Sequence, residues 1–196
     1  MLRRTLLSGF TLIEILVSLA IMVVLLALGL PSLTAYLANA KIRASATNFS
    51  AGMQFARAES IRRNGGVGMI LTSDAPTSGN ASTATLSPKG PNWIVRLLNP
   101  GIPPTYTALQ AKAAADGSTQ VVIDGGAVSS VNFSGLGGTD QAATVSFDFS
   151  SLSGGACATD PTPGPMRCLR VQVSVGGQVR VCDPAVTTAG DPRVCS

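Results

Sequence analysis

The chain has 196 residues, 45% of them hydrophobic and 12% charged, with a formal net charge of +4 and no histidine. That length suits one domain with an appended segment and is ample for a buried core. Without histidine there is no Ser-His-Asp or Cys-His nucleophile system and no zinc site with a histidine ligand, and no paired-acid motif takes their place, so the composition argues against an enzyme.

Taken in chain order, the basic side chains fall unevenly. Arg3 and Arg4 stand at the start, and Lys41, Arg43, Arg57, Arg62 and Arg63 crowd the stretch from 41 to 63. Beyond Gly65 seven basic side chains meet eight acidic ones, a balance of −1. A nucleic-acid or anionic-surface reading of the net charge therefore finds no support in the C-terminal two-thirds as a whole.

Phe10–Leu30 reads FTLIEILVSLAIMVVLLALGL, an apolar run broken only by Thr11, Glu14, Ser18 and Gly29. As a helix at about 1.5 Å per residue it is long enough for a hydrocarbon core of about 30 Å. It is also longer than the apolar stretch of a cleaved secretory signal, about 7–15 residues. Arg3 and Arg4 before it orient the N-terminus to the cytoplasm and everything after Leu30 to the outside. Glu14 is out of character. A carboxylate in a membrane span marks a function and a partner, unless it snorkels to the interface or is protonated.

From Ser32 to about Asn64 the chain stays alanine-rich and free of proline, which predicts that the helix continues. Phe49, Met53, Ala56 and Ser60 make a stripe that can face a sheet, and the basic cluster, offset only by Glu59, reads as a solvated face. Gly65-Gly66 predicts the stop, with Arg62 and Arg63 complementing the negative helix end. Strands are then predicted at Val67–Leu71, Trp93–Leu98, Gln120–Asp124, Val128–Phe133, Thr144–Phe149, Met166–Val175 and Gln178–Cys182. Ser73–Lys89 and Ser150–Pro165 read as long polar loops.

In the last hairpin, matching the sheet faces predicts a three-residue Gly176–Gln178 loop, pairing Val175 with Val179, Val173 with Val181, Ser174 with Arg180 and Gln172 with Cys182. The four cysteines, Cys157, Cys168, Cys182 and Cys195, lie in the exported portion, where two disulfides are expected, and their spacing lacks the C-x2-C pair of a structural zinc site. The predicted register sets Cys168 and Cys182 four residues apart along the strand, roughly 13 Å, beyond disulfide reach. Of the remaining connectivities, 157–168 with 182–195 is preferred over 157–182 with 168–195, each bridge stabilising by roughly 3 kcal/mol.

Gly9-Phe10-Thr11-Leu12-Ile13-Glu14, after a short basic leader and before an apolar helix, resembles the N-terminal signature of type IV pilins and pseudopilins. The resemblance implies an α+β pilin-like fold, with a long N-terminal hydrophobic helix packed on a C-terminal antiparallel β domain. It divides the chain into a leader (1–9), a transmembrane and filament-core half-helix (10–31), an amphipathic half-helix (32–64) and a β domain (65–196). It further implies that a prepilin peptidase cuts after Gly9 and methylates Phe10. In the filament Glu14 would then pair with the N-terminal amine of a neighbouring subunit, because a buried anion and cation together cost less than either alone. Pro31 matches the proline that weakens the helix as it leaves the membrane.

Arg57–Asn64, the Trp93-Ile94-Val95 strand and the closing Gly176–Cys182 segment resemble the subfamily of minor pilins and secretion pseudopilins typified by FimT, FimU and GspH. Such a protein needs no cofactor or metal. Its partners are the membrane, the prepilin peptidase, an inner-membrane assembly platform and other pilin or pseudopilin subunits. It is a single-pass inner-membrane protein with a periplasmic C-terminal domain, later carried on a surface pilus. Three roles follow: a minor pilin near the tip of a type IV pilus, a GspH-like pseudopilin of type II secretion, or a FimT-like DNA-binding pilin for DNA uptake. The last depends on a C-terminal Gly-Arg-x-Arg motif, of which Gly177 and Arg180 are present while Gln178 replaces the first arginine. Arg170 and Arg180 share the outward face of the predicted hairpin, where they would contact phosphates or form an ordinary solvated edge or subunit contact.

Overall fold

The computed structural model describes residues 10–113 and 119–195. Among the described residues one helix, α1 (Leu12–Arg63), is followed by nine strands: β1 (Val67–Thr72), β2 (Lys89–Gly90), β3 (Asn92–Asn99), β4 (Thr105–Lys112), β5 (Val121–Asp124), β6 (Ser130–Phe133), β7 (Val145–Ser151), β8 (Leu169–Val173) and β9 (Val179–Cys182). Thr11 caps the start of α1, its side chain accepting from the Glu14 amide at 3.3 Å. The stop falls on Asn64, which takes the left-handed conformation at φ 59° one residue before the glycines, and the Gly65 amide reaches back to Ser60 O.

The helix has two halves with opposite surfaces. Every described side chain from Phe10 to Ala27 is exposed. From Ala35 onward a stripe at steps of three and four is buried: Ala35, Ala38, Ile42, Ala46, Phe49, Met53, Ala56 and Ser60. Small residues lead this stripe and let the backbone approach the sheets, while Phe49 fills the space between them. Its ring lies 6.3 Å, edge-on, from Trp93 in β3, and 5.0 and 5.4 Å from Phe147 and Phe149 in β7. Each such fully buried side chain contributes about 1.5–3 kcal/mol. Buried Ser60 donates to Ser134 O at 3.0 Å, and Asn39 bonds Pro165 O and the Arg167 amide, so polar contacts fix the helix at both ends of the stripe.

The strands form two antiparallel sheets, ordered β4-β3-β1-β6 and β2-β5-β7-β8-β9. Val67, Met69, Leu71, Trp93, Val95, Val131 and Phe133 from the first sheet join Val121, Ile123, Phe147, Phe149, Val171 and Val173 from the second around α1. On the other face of the first sheet Ile70 and Ile94 are also buried, where the 73–87 segment folds back.

Seven strands fall on the apolar runs of the sequence. The polar loop expected over Ser73–Lys89 instead ends in a pairing strand at Lys89, and Leu86 bridges Thr72. β4 lies where no strand is expected.

The hairpin register is corrected by two residues. The loop is Val175–Gly177, and Val173 faces Val179, Val171 faces Val181, Gln172 faces Arg180 and Arg170 faces Cys182. Two local interactions set it: Gly177, at φ 76°, donates to Ser174 O, and Ser174 Oγ accepts from the Gln178 amide. Val175 thus leaves the strand and is exposed.

Disulfides join Cys157 to Cys168 and Cys182 to Cys195, with Cα separations of 5.6 and 5.1 Å. The separation of 13 Å does not explain this pairing, because the observed register halves the stagger between Cys168 and Cys182. The explanation is local. The 152–165 loop returns beside Met166, where the Ala158 amide donates to Met166 O and the Met166 amide to Ala156 O, and the tail returns to Asp183 through Arg193 O.

Candidate functional site: the exposed half-helix and the C-terminal arginines

Two surfaces carry the residues singled out by sequence. The first is the N-terminal half of α1. Phe10 is 82% exposed, and Leu12, Ile13, Ile15, Leu16, Val17 and the apolar residues that follow cover all sides of the helix. The segment is long and apolar enough to cross a membrane. Glu14 is the carboxylate of this surface and sits in the first helical turn, where the positive end of the helix dipole favours it. Its backbone amide donates to Thr11, and among the described residues its carboxylate is in no ion pair. Gly9 lies outside the described residues. Pro31 falls within α1.

The stalk arginines are used in different ways. Arg62 and Arg63 both grip Glu59, at 2.7 and 2.8 Å, and these bonds, Arg62 first, hold the Glu59 carboxyl at about 2. Arg57 reaches off the helix to Gly137 O at 3.0 Å and Gly176 O at 3.4 Å, clamping α1 to the β6–β7 loop and the β8–β9 turn. This clamp also explains Gly177, where any Cβ would run into Gly137 O. Lys41 and Arg43 are exposed and, among the described residues, have no ion-pair partner.

The second surface is the outer face of β8 and β9. Arg170 and Arg180 do share it, but each is committed within the fold. Arg170 makes a two-pronged pair with Asp148, directly opposite on β7, at 2.7 and 3.0 Å, and this pairing raises its pKa. Arg180 donates to Pro192 O and Val194 O and so ties down the tail that Cys195 anchors. Arg167 pairs with Asp183, and Arg193 with Asp191, whose carboxyl is held at about 2. The clamps made by Asn39 and Arg57 escape a sequence reading, since several of their partners are backbone carbonyls, which leave no trace in side-chain patterns.

The family model described as type II transport protein GspH matches residues 45–185. The prokaryotic N-terminal methylation motif matches residues 8–30. No curated protein matches the sequence. Two crystal structures of the type IV minor pilin FimU from Pseudomonas aeruginosa are similar in shape, with TM-scores of 0.48 and 0.49 and sequence identities of 15% and 14%. Each alignment covers 71% of this chain, and 90% and 87% of the respective FimU chain. With one model spanning its β domain and the other its apolar helix, the chain belongs to the GspH family and is a pilin-like subunit, a minor pilin or pseudopilin.

Proposed function

We propose that the chain is a minor pilin of a type IV pilus, incorporated near the tip and supporting pilus assembly. The observation that supports this reading is the division of α1: a fully exposed apolar half continuous with a half buried in its own β domain. Apolar surface of that extent is stable only in lipid or against other apolar helices, so the same half-helix serves as anchor before assembly and as filament core after it. Prepilin peptidase would cut after Gly9 and methylate Phe10. The inner-membrane platform would then lift the subunit from the bilayer as Glu14 meets the Phe10 amine of a neighbour, an exchange that keeps the carboxylate paired in a low-dielectric core. The β domain lies first in the periplasm and then on the pilus.

A second reading, a GspH-like pseudopilin of type II secretion, is favoured by the description of the matching family model. Deletion of the gene separates the two. Loss of surface pili with secretion intact supports the pilus, and loss of secretion with pili intact refutes it. Mass spectrometry of the mature N-terminus tests cleavage before Phe10 and its methylation.

DNA uptake through Arg170 and Arg180 is disfavoured, because Asp148 binds Arg170 at Nε and Nη2 and the tail carbonyls hold Nη2 of Arg180. The full chain should therefore bind DNA weakly or not at all at physiological salt. Tight binding abolished by Arg170→Ala with Arg180→Ala would reverse that ranking.

A further inference from the structure

We infer that the outer face of the first sheet carries a carboxylate-binding pocket built on Arg96, which accepts an acid borne on a short apolar stem. The register of β3, β1 and β6 sets Gly68 between Arg96 and Asn132. With no side chain at Gly68, a hollow of about 260 Å³ opens in the sheet face, and a Cβ there would strike the Asn132 side chain. Arg96, Tyr106, Leu98 and Asn132 wall it, and Gly66 and Gly68 contribute backbone. The space suits one side chain or a small organic acid.

Arg96 is built unlike its neighbours. Arg167, Arg170 and Arg193 rest on carboxylates, and Arg180 on two carbonyls. Arg96 is half-buried with its guanidinium 3.7 Å above the centre of the Tyr106 ring, yet it makes one hydrogen bond, from Nη1 to Ala81 O at 2.9 Å. Its Nε is buried without a partner. A guanidinium has five donors and stays charged, so this is a partly desolvated cation with no ion-pair partner among the described residues, an arrangement that costs stability until an anion arrives. Burial lowers its pKa, partly offset by Tyr106, which agrees with the geometry.

The neighbouring charge selects the anion. Asp140 accepts from the Asn132 amide at 3.0 Å, from Asn132 Nδ2 at 2.7 Å and from Gln141 at 2.8 Å. Burial pushes its carboxyl upward, but these bonds outweigh that and keep it ionised. A fixed negative charge behind Asn132 disfavours a dianion such as phosphate and leaves room for a monoanion. Leu98 and the Tyr106 ring offer the stem an apolar wall.

A titration of the ¹⁵N-labelled full chain in detergent micelles tests this, read at the amides of Gly66, Gly68 and Asn132. N-acetyl-leucine should shift these signals saturably, whereas N-acetyl-leucinamide, the same stem without the acid, should not. Inorganic phosphate should bind more weakly than N-acetyl-leucine. A blocked Leu-Glu-Leu peptide identifies the source: tighter binding than N-acetyl-leucine assigns the acid to a side chain of a partner polypeptide, and weaker binding to a chain end or free acid. Arg96→Gln should lower affinity for N-acetyl-leucine about tenfold or more. Should that variant fail to fold, Leu98→Glu decides, since it places an internal carboxylate at the exposed lip of the pocket. It should abolish binding and raise the unfolding temperature. Equal shifts from acid and amide, tighter binding of phosphate, or unchanged affinity in folded Arg96→Gln or in Leu98→Glu overturns the proposal.

Discussion

Replacing Gly52 by alanine sets two effects of known sign against each other. Gly52 is buried inside α1, and in a free helix alanine would be better by about 0.5–1 kcal/mol. Here a Cβ would lie 2.6 Å from Met69 Cε and 2.7 and 2.9 Å from Trp93 Cη2 and Cζ3. The Met69 methyl can swing away at little cost. The Trp93 ring cannot, since it is buried and held edge-on by Phe49, so either the ring or the helix must move. Overpacking of this kind costs about 1–3 kcal/mol, which exceeds the propensity gain and leaves Gly52→Ala destabilised by about 1 kcal/mol. Trp93 is the single tryptophan and reports directly on this contact. Urea unfolding of the full chain in detergent, followed by its fluorescence, should show the midpoint fall by about 0.5 M. Ala51→Gly, at the exposed neighbouring position, is the control and should lose about 1 kcal/mol through propensity alone. A midpoint that rises in Gly52→Ala would mean the helix rides farther from the first sheet than described, and the account of the small-residue stripe would fail with it.

Three further outcomes are expected. Glu59 should titrate at about 2 by carboxyl NMR, well under the ordinary 4.5, because Arg62 and Arg63 bind its charged form. A depressed folded-state value means that its contribution to stability is present above about 4.5 and fades as pH falls towards 2. Glu59→Gln should therefore flatten the acid side of the stability profile in that window, and a midpoint near 4.5 would contradict the pairing. Changing Cys182 and Cys195 together to serine should lower stability by about 3 kcal/mol and speed hydrogen exchange at the Asp183 amide, which is bonded to Arg193 O. Unchanged exchange would show that the tail is held by Arg180 alone. Glu14→Ala should leave the N-terminus cleaved and methylated yet remove the protein from sheared surface filaments, as judged by mass spectrometry. Normal incorporation would refute the pairing proposed for Glu14.

The parts of the fold that were legible in the sequence are those where one side chain has one environment. The apolar run from Phe10 to Leu30 needs no partner to be read, and the Phe49, Met53, Ala56, Ser60 stripe is a periodicity within a single helix. The central strands announce themselves by buried apolar residues. β4 does not, because it is the edge of its sheet, pairs only with β3 and exposes alternate residues, so Thr-Tyr-Thr-Ala-Leu-Gln-Ala-Lys has no need of an apolar pattern. β2 exists only through its pairing with β5. The hairpin shows a different limit: matching faces excludes a one-residue slip but is blind to a two-residue slip, which keeps every face. Choosing between those registers took a left-handed Gly177 and the Ser174 hydroxyl, neither of which a face pattern contains.

Charge marks the deepest boundary between sequence and structure. The sign and position of each arginine are legible, and Arg170 and Arg180 do fall on the outer face that alternation assigns them. What alternation cannot supply is the strand that lies beside them. Asp148 faces Arg170 only because β7 pairs with β8 across more than twenty residues of chain. Arg180 meets Pro192 O and Val194 O only because the Cys182–Cys195 bridge turns the tail back. Both partners are non-local, so a charge that looks available in the sequence is spent inside the fold. The same logic applies to Arg96. It stands in the apolar run Trp93–Leu98, and its meaning lies in what surrounds it: a Tyr106 ring, one carbonyl at Ala81 and, among the described residues, no carboxylate paired with its guanidinium. An arginine becomes informative when its surroundings are known well enough to say what fails to answer it.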